Sequence, residues 1–211
     1  MKHDVIITGI LVGLLSAINS VNAADYEVSA LFGGQSPTAV PGAVVQLRVL
    51  ARTQQGDNLV GAGHVAFAID LELSGSLNLS ATAISNVDLN AVVFNNLVLS
   101  SAGLAQGNHY VGTSGITTDL IPPNPGSVVG DVVRLFDFDL TIPATAQIGQ
   151  FLTITPSEGD RGNVAATMDF ASVFPQEFVP ATVFIVPEPA VLTPICLFWI
   201  LLGRPRRDLR N

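Results

Sequence analysis

The sequence predicts an all-β fold, a β-sandwich of two sheets that spans residues 24–186. Three observations support this prediction. Apolar and polar residues alternate in the best-patterned segments with a period of two, as in a strand with one buried face. Gly, Pro, Asn and Asp separate these segments, as expected for turns between strands. No stretch of residues 24–186 has a long helical period. Packing two sheets face to face would bury all the apolar faces at once.

The clearest strand patterns lie in segments 26–32, 44–51, 65–73 and 131–142. The residues predicted to face inward in the last two segments are Val65, Phe67, Ile69, Leu71 and Leu73, then Phe136, Phe138, Leu140 and Ile142. The residues predicted to face outward are Asp70 and Glu72, then Asp137 and Asp139. Apolar positions that alternate with carboxylates indicate a sheet with one wet face.

The remaining segments carry weaker patterns. Segments 77–84 and 91–99 are also predicted as strands, although apolar residues fall on both of their faces. Segment 100–128 is predicted as loop-rich because of its prolines at 122, 123 and 125. Strands at 151–155, 164–170 and 181–186 bring the total to about nine.

The charge of the predicted domain is strongly one-sided. Residues 24–186 contain four arginines and fourteen carboxylates, which gives a net charge of −10. Such an acidic surface repels phosphate backbones, so nucleic-acid binding is not expected. The single cysteine, Cys196, lies outside this domain, so no internal disulfide can form and the domain depends on packing.

The first 23 residues are predicted to be a secretory signal peptide. A weakly basic start precedes an apolar run at residues 5–17, which is shorter than the roughly 20 residues needed to span a membrane. Val21 and Ala23 occupy the −3 and −1 positions of a cleavage site between Ala23 and Ala24. A retained membrane helix is the alternative interpretation.

The last 25 residues have a different composition. Residues 187–189 read Pro-Glu-Pro, an apolar run follows at 190–203, and basic residues come next. At 1.5 Å per residue, a helix over the run is only about 21 Å long, against a hydrocarbon core of about 30 Å. The tail is therefore predicted to be a short membrane stop whose arginines stay cytoplasmic.

This arrangement resembles the PEP-CTERM sorting signal of bacterial exosortase substrates. The residues that carry the resemblance are the motif Pro187, Glu188 and Pro189 and the basic cluster Arg204, Arg206 and Arg207. The resemblance implies recognition by an exosortase-like membrane protease or transpeptidase that cleaves near the motif. A plain single-pass anchor is the alternative.

The predicted domain is similar to the cohesin-type β-sandwich, a jelly-roll fold related in shape to carbohydrate-binding modules. The segments that carry this similarity are 40–45, 67–71, 130–136 and 144–154. Cohesins often have an aromatic-Asp-Pro turn after the second long strand, whereas this chain reads Leu-Ser-Gly-Ser at 73–76. Binding of a dockerin therefore does not follow from the fold.

No catalytic motif is visible in residues 24–186, so the protein is predicted not to be an enzyme, although a hydrolase with an unrecognised site is an alternative. His64 follows a Gly-Ala-Gly segment and His109 lies in a Gly-Asn segment, so both are predicted to be solvated loop residues. Asp137 and Asp139 share a strand face and are a candidate Ca²⁺ site, as is the acidic turn at 157–163. The alternative for both is an ordinary wet surface. No other cofactor is predicted.

Aromatic residues that could contact a ligand are few. The only tryptophan, Trp199, lies in the tail, and Tyr110 is predicted as a loop residue that contacts a ligand. Phe174 and Phe178 flank a predicted loop. These observations favour a non-catalytic protein that is exported and directed to the cell envelope, with an adhesive or structural role in an extracellular polysaccharide matrix. A cohesin-like module that binds a surface protein is the alternative.

Overall fold

The computed structural model describes residues 24–31, 34–55, 60–119, 121, 123–159, 164–165 and 176–188. These residues form twelve strands and one short 3₁₀ helix, Ala81–Ala83. The strands are β1 (Ala24–Ala30), β2 (Thr38–Ala39), β3 (Val44–Arg52), β4 (His64–Ser74), β5 (Ile84–Leu89), β6 (Ser101–Gln106), β7 (His109–Ile116), β8 (Val132–Thr141), β9 (Phe151–Glu158), β10 (Val164–Ala165), β11 (Gln176–Val179) and β12 (Ala181–Ile185).

The strands divide into two mixed sheets, as predicted for a β-sandwich. Sheet A has the order β11-β1-β3-β8-β5, in which only β1 and β11 are parallel neighbours. Sheet B has the order β2-β12-β9-β4-β7-β6, in which only β2 and β12 are parallel neighbours. Strand β10 pairs with the start of β4, beyond the part of β4 that pairs with β9.

The core lies between the sheets and is built from the inward faces that the sequence pattern predicted. The predicted inward residues of β4 and β8 are all buried, with at most 3% of each side chain exposed. Phenylalanine rings contact one another across the core: Phe67 lies 4.7 Å from Phe94 and 6.0 Å from Phe136, centroid to centroid. Such aromatic pairs contribute about 0.5–1.5 kcal/mol beyond the area they bury.

Two predicted strands are wrong. The structure has no strand at 77–83, where Ser80 caps the 3₁₀ helix, and the following strand is β5. Segment 91–99 consists of turns, because the carbonyl of Asn90 accepts hydrogen bonds from the amides of Val93 and Phe94. Phe94 is fully buried, so this segment contributes one side chain to the core without being a strand.

The loop predicted over 100–128 contains a β-hairpin instead, formed by β6 and β7. Its small residues gave no alternating pattern. Gly103 has a φ of +81°, and a Cβ there would lie 2.6 Å from the Oγ1 of Thr113. Only glycine fits this position of the hairpin. Strand β11 also replaces part of a predicted loop, while residues 166–170 of the predicted strand 164–170 lie outside the described residues.

Candidate functional site

The outer face of sheet A, here called the A face, consists of the outward side chains of β1, β3, β8 and β5. Its centre is Asp137 on β8, which pairs across the sheet with Arg48 on β3. Arg48 donates two hydrogen bonds of 3.0 Å, one to each oxygen of the Asp137 carboxylate. Arg134 donates a third, of 2.8 Å, to the same carboxylate and another, of 3.0 Å, to Asp88 on β5. The A face therefore holds a cross-strand network of charges.

Partial burial and the paired guanidinium groups act in opposite directions on Asp137. Burial alone would raise the pKa of its carboxyl, but the hydrogen bonds and charges of Arg48 and Arg134 outweigh that effect and hold the pKa below its ordinary value. For Arg134, burial would lower the pKa, but Asp137 and Asp88 raise it. Asp137 and Arg134 are therefore both charged at neutral pH.

The rest of the A face is also internally paired. Arg52 on β3 contacts the carboxylate of Glu27 on β1 at 2.8 Å. Asn86 donates a hydrogen bond of 2.8 Å to Asp139. Within the residues that the structure describes, all the arginines lie on this face and each one contacts a carboxylate.

The predicted calcium site coincides with this network. A cation bound by Asp137 would have to displace Arg48 and Arg134, because both carboxylate oxygens accept hydrogen bonds from them. No group of three or more His, Cys, Asp or Glu side chains that could hold a metal ion occurs among the described residues. Part of the acidic turn at 157–163 lies outside them.

The outer face of sheet B, here called the B face, has a different composition. It includes the outward side chains of β9 and β12, which alternate with fully buried ones. Phe151 and Phe184 are directly paired across these strands and are 39% and 44% exposed. Their ring centroids are 6.5 Å apart, with the planes inclined at 44°. The hydroxyls of Thr153 and Thr182 lie 3.3 Å apart beside them.

Carboxylates border this surface. Asp70 and Glu72 lie on β4, where Glu72 pairs with Thr155 of β9. The Asp70 carboxylate accepts a hydrogen bond of 2.7 Å from the amide of Gly112. The described part of sheet B contains no lysine or arginine. The B face thus combines exposed aromatic rings, hydroxyls and a few carboxylates, without the charge pairing that closes the A face.

Tyr110 does not lie in a loop, so that part of the prediction is wrong. It is the second residue of β7, pairs with Leu71 and is 8% exposed, because its ring turns into the core. Burial raises the pKa of its phenol. Its neighbour His109 is exposed, as predicted, but it is the first residue of β7 and not a loop residue. Phe178, left unassigned between core and loop, is half-buried on β11 and stacks on Tyr26 at 5.6 Å.

His64 is also not a solvated loop residue. It begins β4 and is 1% exposed, with its ring 5.9 Å from that of Tyr26 in an edge-to-face contact. Neither ring nitrogen has a hydrogen-bond partner in the part of the chain that the structure describes, and the side-chain amide nitrogen of Asn124 is likewise unpaired. Burial lowers the pKa of His64 to about 4, so the imidazole is neutral at physiological pH.

Backbone hydrogen bonds hold the loop of Asn124 against this histidine. The amide of His64 donates a hydrogen bond to the carbonyl of Pro125. The Thr53 hydroxyl donates a hydrogen bond of 2.7 Å to the carbonyl of Gly126. Gly63 has a φ of +82°, and a Cβ there would collide with the backbone of Asn124. His64 is therefore a buried structural residue at one end of the sandwich, and none of the described residues forms a nucleophile–base pair with it.

A groove of about 600 Å³ opens near Val186, between the ends of β1 and β3 and the edge strand β2. Its described lining is apolar apart from Thr38 and Gln46 and includes no titratable side chain. Such a surface can accept an apolar group but offers no acid, base or metal ligand for catalysis.

The predicted processing segments lie mostly outside the described residues. These are the signal peptide with Ala23, Pro189, the apolar run 190–203, and Arg204, Arg206 and Arg207. Of the cleavage site, only Ala24 is described, as the first residue of β1. Pro187 and Glu188 are exposed and follow β12 without regular structure. The described residues include no helix that is long and apolar enough to cross a membrane.

The Phe151–Phe184 pair was not predicted. Each residue stands out of phase with the inward residues of its strand, so the alternating pattern alone could have placed both on the outer face. The contact between them depends on the pairing of β9 with β12, which no local pattern specifies.

Comparison with known proteins gave no match to a protein-family model and no match to a curated protein. Solved cohesin structures are similar in fold. The seventh ScaB type I cohesin from Pseudobacteroides cellulosolvens has a TM-score of 0.50 at 12% identity, with 80% of this chain and 96% of that chain covered.

Two other cohesins are similar at lower scores. The sixth cohesin of scaffoldin B from Acetivibrio cellulolyticus, solved with a Cel5 dockerin, has a TM-score of 0.47 at 12% identity, with 78% and 99% covered. A type III cohesin module of the ScaE cell-surface anchoring scaffoldin from Ruminococcus flavefaciens has a TM-score of 0.46 at 14% identity, with 78% and 88% covered. At these identities the similarity shows the fold alone. The described domain is a cohesin-like β-sandwich.

Proposed function

We propose that this chain is an exported, non-catalytic binding module whose B face engages a protein partner. The observation that carries the proposal is the exposed Phe151–Phe184 pair, flanked by Thr153 and Thr182 on a sheet whose described residues include no lysine or arginine. Exposed aromatic residues beside groups that can form hydrogen bonds are typical anchors of protein interfaces. The cohesin of Acetivibrio cellulolyticus was solved with a dockerin, which supports a binding role for the same architecture.

A matrix polysaccharide is the second candidate ligand, because aromatic rings and hydroxyls also contact sugars. The geometry favours a protein. The planes of Phe151 and Phe184 are inclined at 44° and therefore do not form one flat platform on which a pyranose ring could stack. A protein side chain can instead occupy the angle between two tilted rings.

The proposed C-terminal sorting signal would position this module at the cell envelope. Pro187 and Glu188 are exposed and directly follow the last described strand, so the module can fold completely while the motif remains accessible to an exosortase-like enzyme. Replacement of residues 187–189 by alanine should leave the uncleaved chain in the membrane fraction, measured by immunoblot of fractionated cells. Normal processing of that variant would refute this part of the proposal.

The binding role can be tested with the purified full chain, immobilised from mild detergent. Protein and polysaccharide fractions of the producing organism's envelope are passed over the wild type, the Phe151→Ser/Phe184→Ser variant and the control Val132→Ser. Val132 is 47% exposed and lies on β8 of sheet A, so this control removes exposed apolar surface, in a smaller amount, from the opposite sheet.

The proposal predicts that one protein is retained by the wild type and the control, and at least tenfold less by the double variant. Retention of polysaccharide alone, lost in the same variant, would favour the second candidate. Retention that is equal in all three chains would refute a role for the B face. Turnover of generic ester or glycoside substrates by the purified chain would instead support the hydrolase alternative.

A further inference from the structure

The described strand orders of the two sheets end in four edge strands, and three of them are protected against pairing with another strand. Strand β2 has only two residues, and Pro37 and Pro41 flank it. Strand β5 has a register shift at Asn86, whose φ is +50°, and also carries Asp88. Strand β11 carries Glu177 and ends before a proline. Short length, charge, proline and irregular register are the usual means of blocking edge-to-edge association.

Strand β6, at the end of sheet B, has none of these protections. Its six residues, Ser101–Gln106, contain no charged residue and no proline. It pairs with β7 on one side, and no described strand pairs with its other side. Leu104, near its centre, is 55% exposed. A neutral edge of this length can add a strand from another molecule.

Exposed apolar side chains precede this edge. Between Ala91 and Ser100 the exposed residues include Val92, Leu97, Val98 and Leu99. Hydrogen bonds hold this segment against the end of β7: the amide of Asn96 donates to the carbonyl of Ile116, and the Ser100 hydroxyl accepts from the Ile116 amide. We call residues 91–106 the neutral strip. Clustered apolar exposure of this kind marks an interaction surface.

The absence of charged residues from the neutral strip indicates which partner it binds. No Asp, Glu, Lys or Arg occurs between Leu89 and Thr118, although residues 24–186 carry a net charge of −10. Two copies of so acidic a domain repel each other over most of their surface, and the neutral strip is where they can approach without that cost. A cationic partner would instead gain most at the carboxylates elsewhere.

We propose that the neutral strip is a homodimer interface, in which β6 of one copy pairs antiparallel with β6 of a second copy. An antiparallel strand pair has a twofold axis, so one patch serves both subunits. The pairing joins two copies of sheet B into one continuous sheet with both B faces on the same side. This inference is independent of the proposed ligand, because it uses the edge of sheet B rather than its face.

The first test measures self-association of the full chain by sedimentation equilibrium in a density-matched detergent. Wild-type chain is compared with Leu104→Lys and with the control Ile148→Lys, which places the same charge at a 64% exposed residue outside the neutral strip. The proposal predicts dimers for the wild type and the control, and at least tenfold weaker association for Leu104→Lys. A monomeric wild type, or equal association of both variants, would overturn it.

A second measurement does not depend on a charged variant. Cys196 is the only cysteine, so Cys196→Ser provides a background for single cysteines at Ala102, Leu104 or Gln106. Mild oxidation should link at least one of these into a covalent dimer much faster than a cysteine at Ile148. Equal rates for all four positions would overturn the proposal, whereas circular dichroism confirms that each variant is folded.

Discussion

The outer faces of the two sheets meet solvent in opposite ways. On the A face, Arg48, Arg52 and Arg134 each contact a carboxylate on a neighbouring strand. On the B face, Phe151 and Phe184 are exposed, and no arginine or lysine lies on the described part of the sheet. A partner that docks on the A face must compete with bonds already made, whereas the B face offers apolar area that association would bury.

A third region, the buried end of the sandwich that contains His64, differs from both faces in its effect on stability at low pH. The pKa of His64 is about 4 in the folded protein, below its ordinary 6.5, so the unfolded chain takes up a proton first as the pH falls. Stability is therefore fully present above pH 6.5 and decreases between pH 6.5 and 4, by about 3 kcal/mol in all. Denaturant unfolding at a series of pH values measures this decrease.

Replacing the histidine isolates its contribution. His64→Leu should largely flatten the stability profile between pH 6.5 and 4, whereas the exposed control His109→Leu should keep the wild-type slope. An unchanged slope in His64→Leu would show that other groups cause the acid sensitivity. Above pH 6.5 the effects of substitutions on the two faces can be compared without the loss of stability that protonation linked to His64 causes.

The next largest effect separates the faces by stability. Asp137→Ala leaves two half-buried guanidinium groups without their shared acceptor and should cost about 1–2 kcal/mol after allowance for solvent screening. Asp139→Ala, on the same strand, loses one exposed hydrogen bond from Asn86 and should cost less than about 0.5 kcal/mol. Urea unfolding at pH 7 checks both, and equal costs would contradict a special role for Asp137.

The network should also have its own acid limit. Because the pKa of Asp137 is lowered, its contribution is present above the ordinary value of 3.8 and is lost as the pH falls through the lower, folded value. This window lies below that of His64, so the two contributions can be told apart in one titration. Asp137→Ala should lack the lower step.

The B face should differ from the A face in its effect on binding. Phe151→Ser together with Phe184→Ser removes two side chains that are each still about three-fifths buried, so the double variant should lose about 2–3 kcal/mol of stability and remain folded. The proposed binding should fall at least tenfold, while Asp137→Ala should leave it unchanged. Unchanged binding by the folded double variant would mean that the pair is structural and not a binding surface.

The smallest expected effect concerns calcium. Millimolar Ca²⁺ should leave the melting temperature of the protein unchanged, because guanidinium groups already contact both oxygens of Asp137 and only ligands that bind the folded state raise stability. Melting curves with Ca²⁺ and with a chelator test this. A reproducible rise with Ca²⁺ would restore the predicted cation site or indicate one elsewhere.

The strands that build the core were predictable, because apolar and polar residues alternate along a strand that has one buried face. Segments 65–73 and 131–142 fall within β4 and close to the bounds of β8. The β6–β7 hairpin was not predictable in this way. Gly115 lies directly under Phe67, where a Cβ would be 2.5 Å from the ring. Only glycine fits this buried position, and glycine adds no apolar residue to an alternating pattern.

The candidate sites depend on contacts between distant parts of the chain. His64 follows two glycines and looks like a loop residue, but Tyr26 and the loop of Asn124 bury it. The alternating pattern within each strand indicates that Phe151 and Phe184 face outward. Their contact, however, depends on the register between β9 and β12, which the sequence of neither strand specifies. The apolar run at 91–99 was wrongly predicted as a strand, because its composition does not reveal that most of its residues are exposed.

The parallel pairing of β1 with β11 has a consequence for the order of assembly. Ala24 pairs with Gln176, so the first and nearly the last described strands are neighbours in sheet A. A chain that crosses a membrane with its amino end leading would deliver β1 long before β11. Until residues 176–185 emerge, β1 lacks one neighbour and β9 lacks β12, so the sandwich can close only late in translocation. If the chain is exported as proposed, folding would therefore be completed only late in export, and the unfinished domain would be open to proteolysis until then.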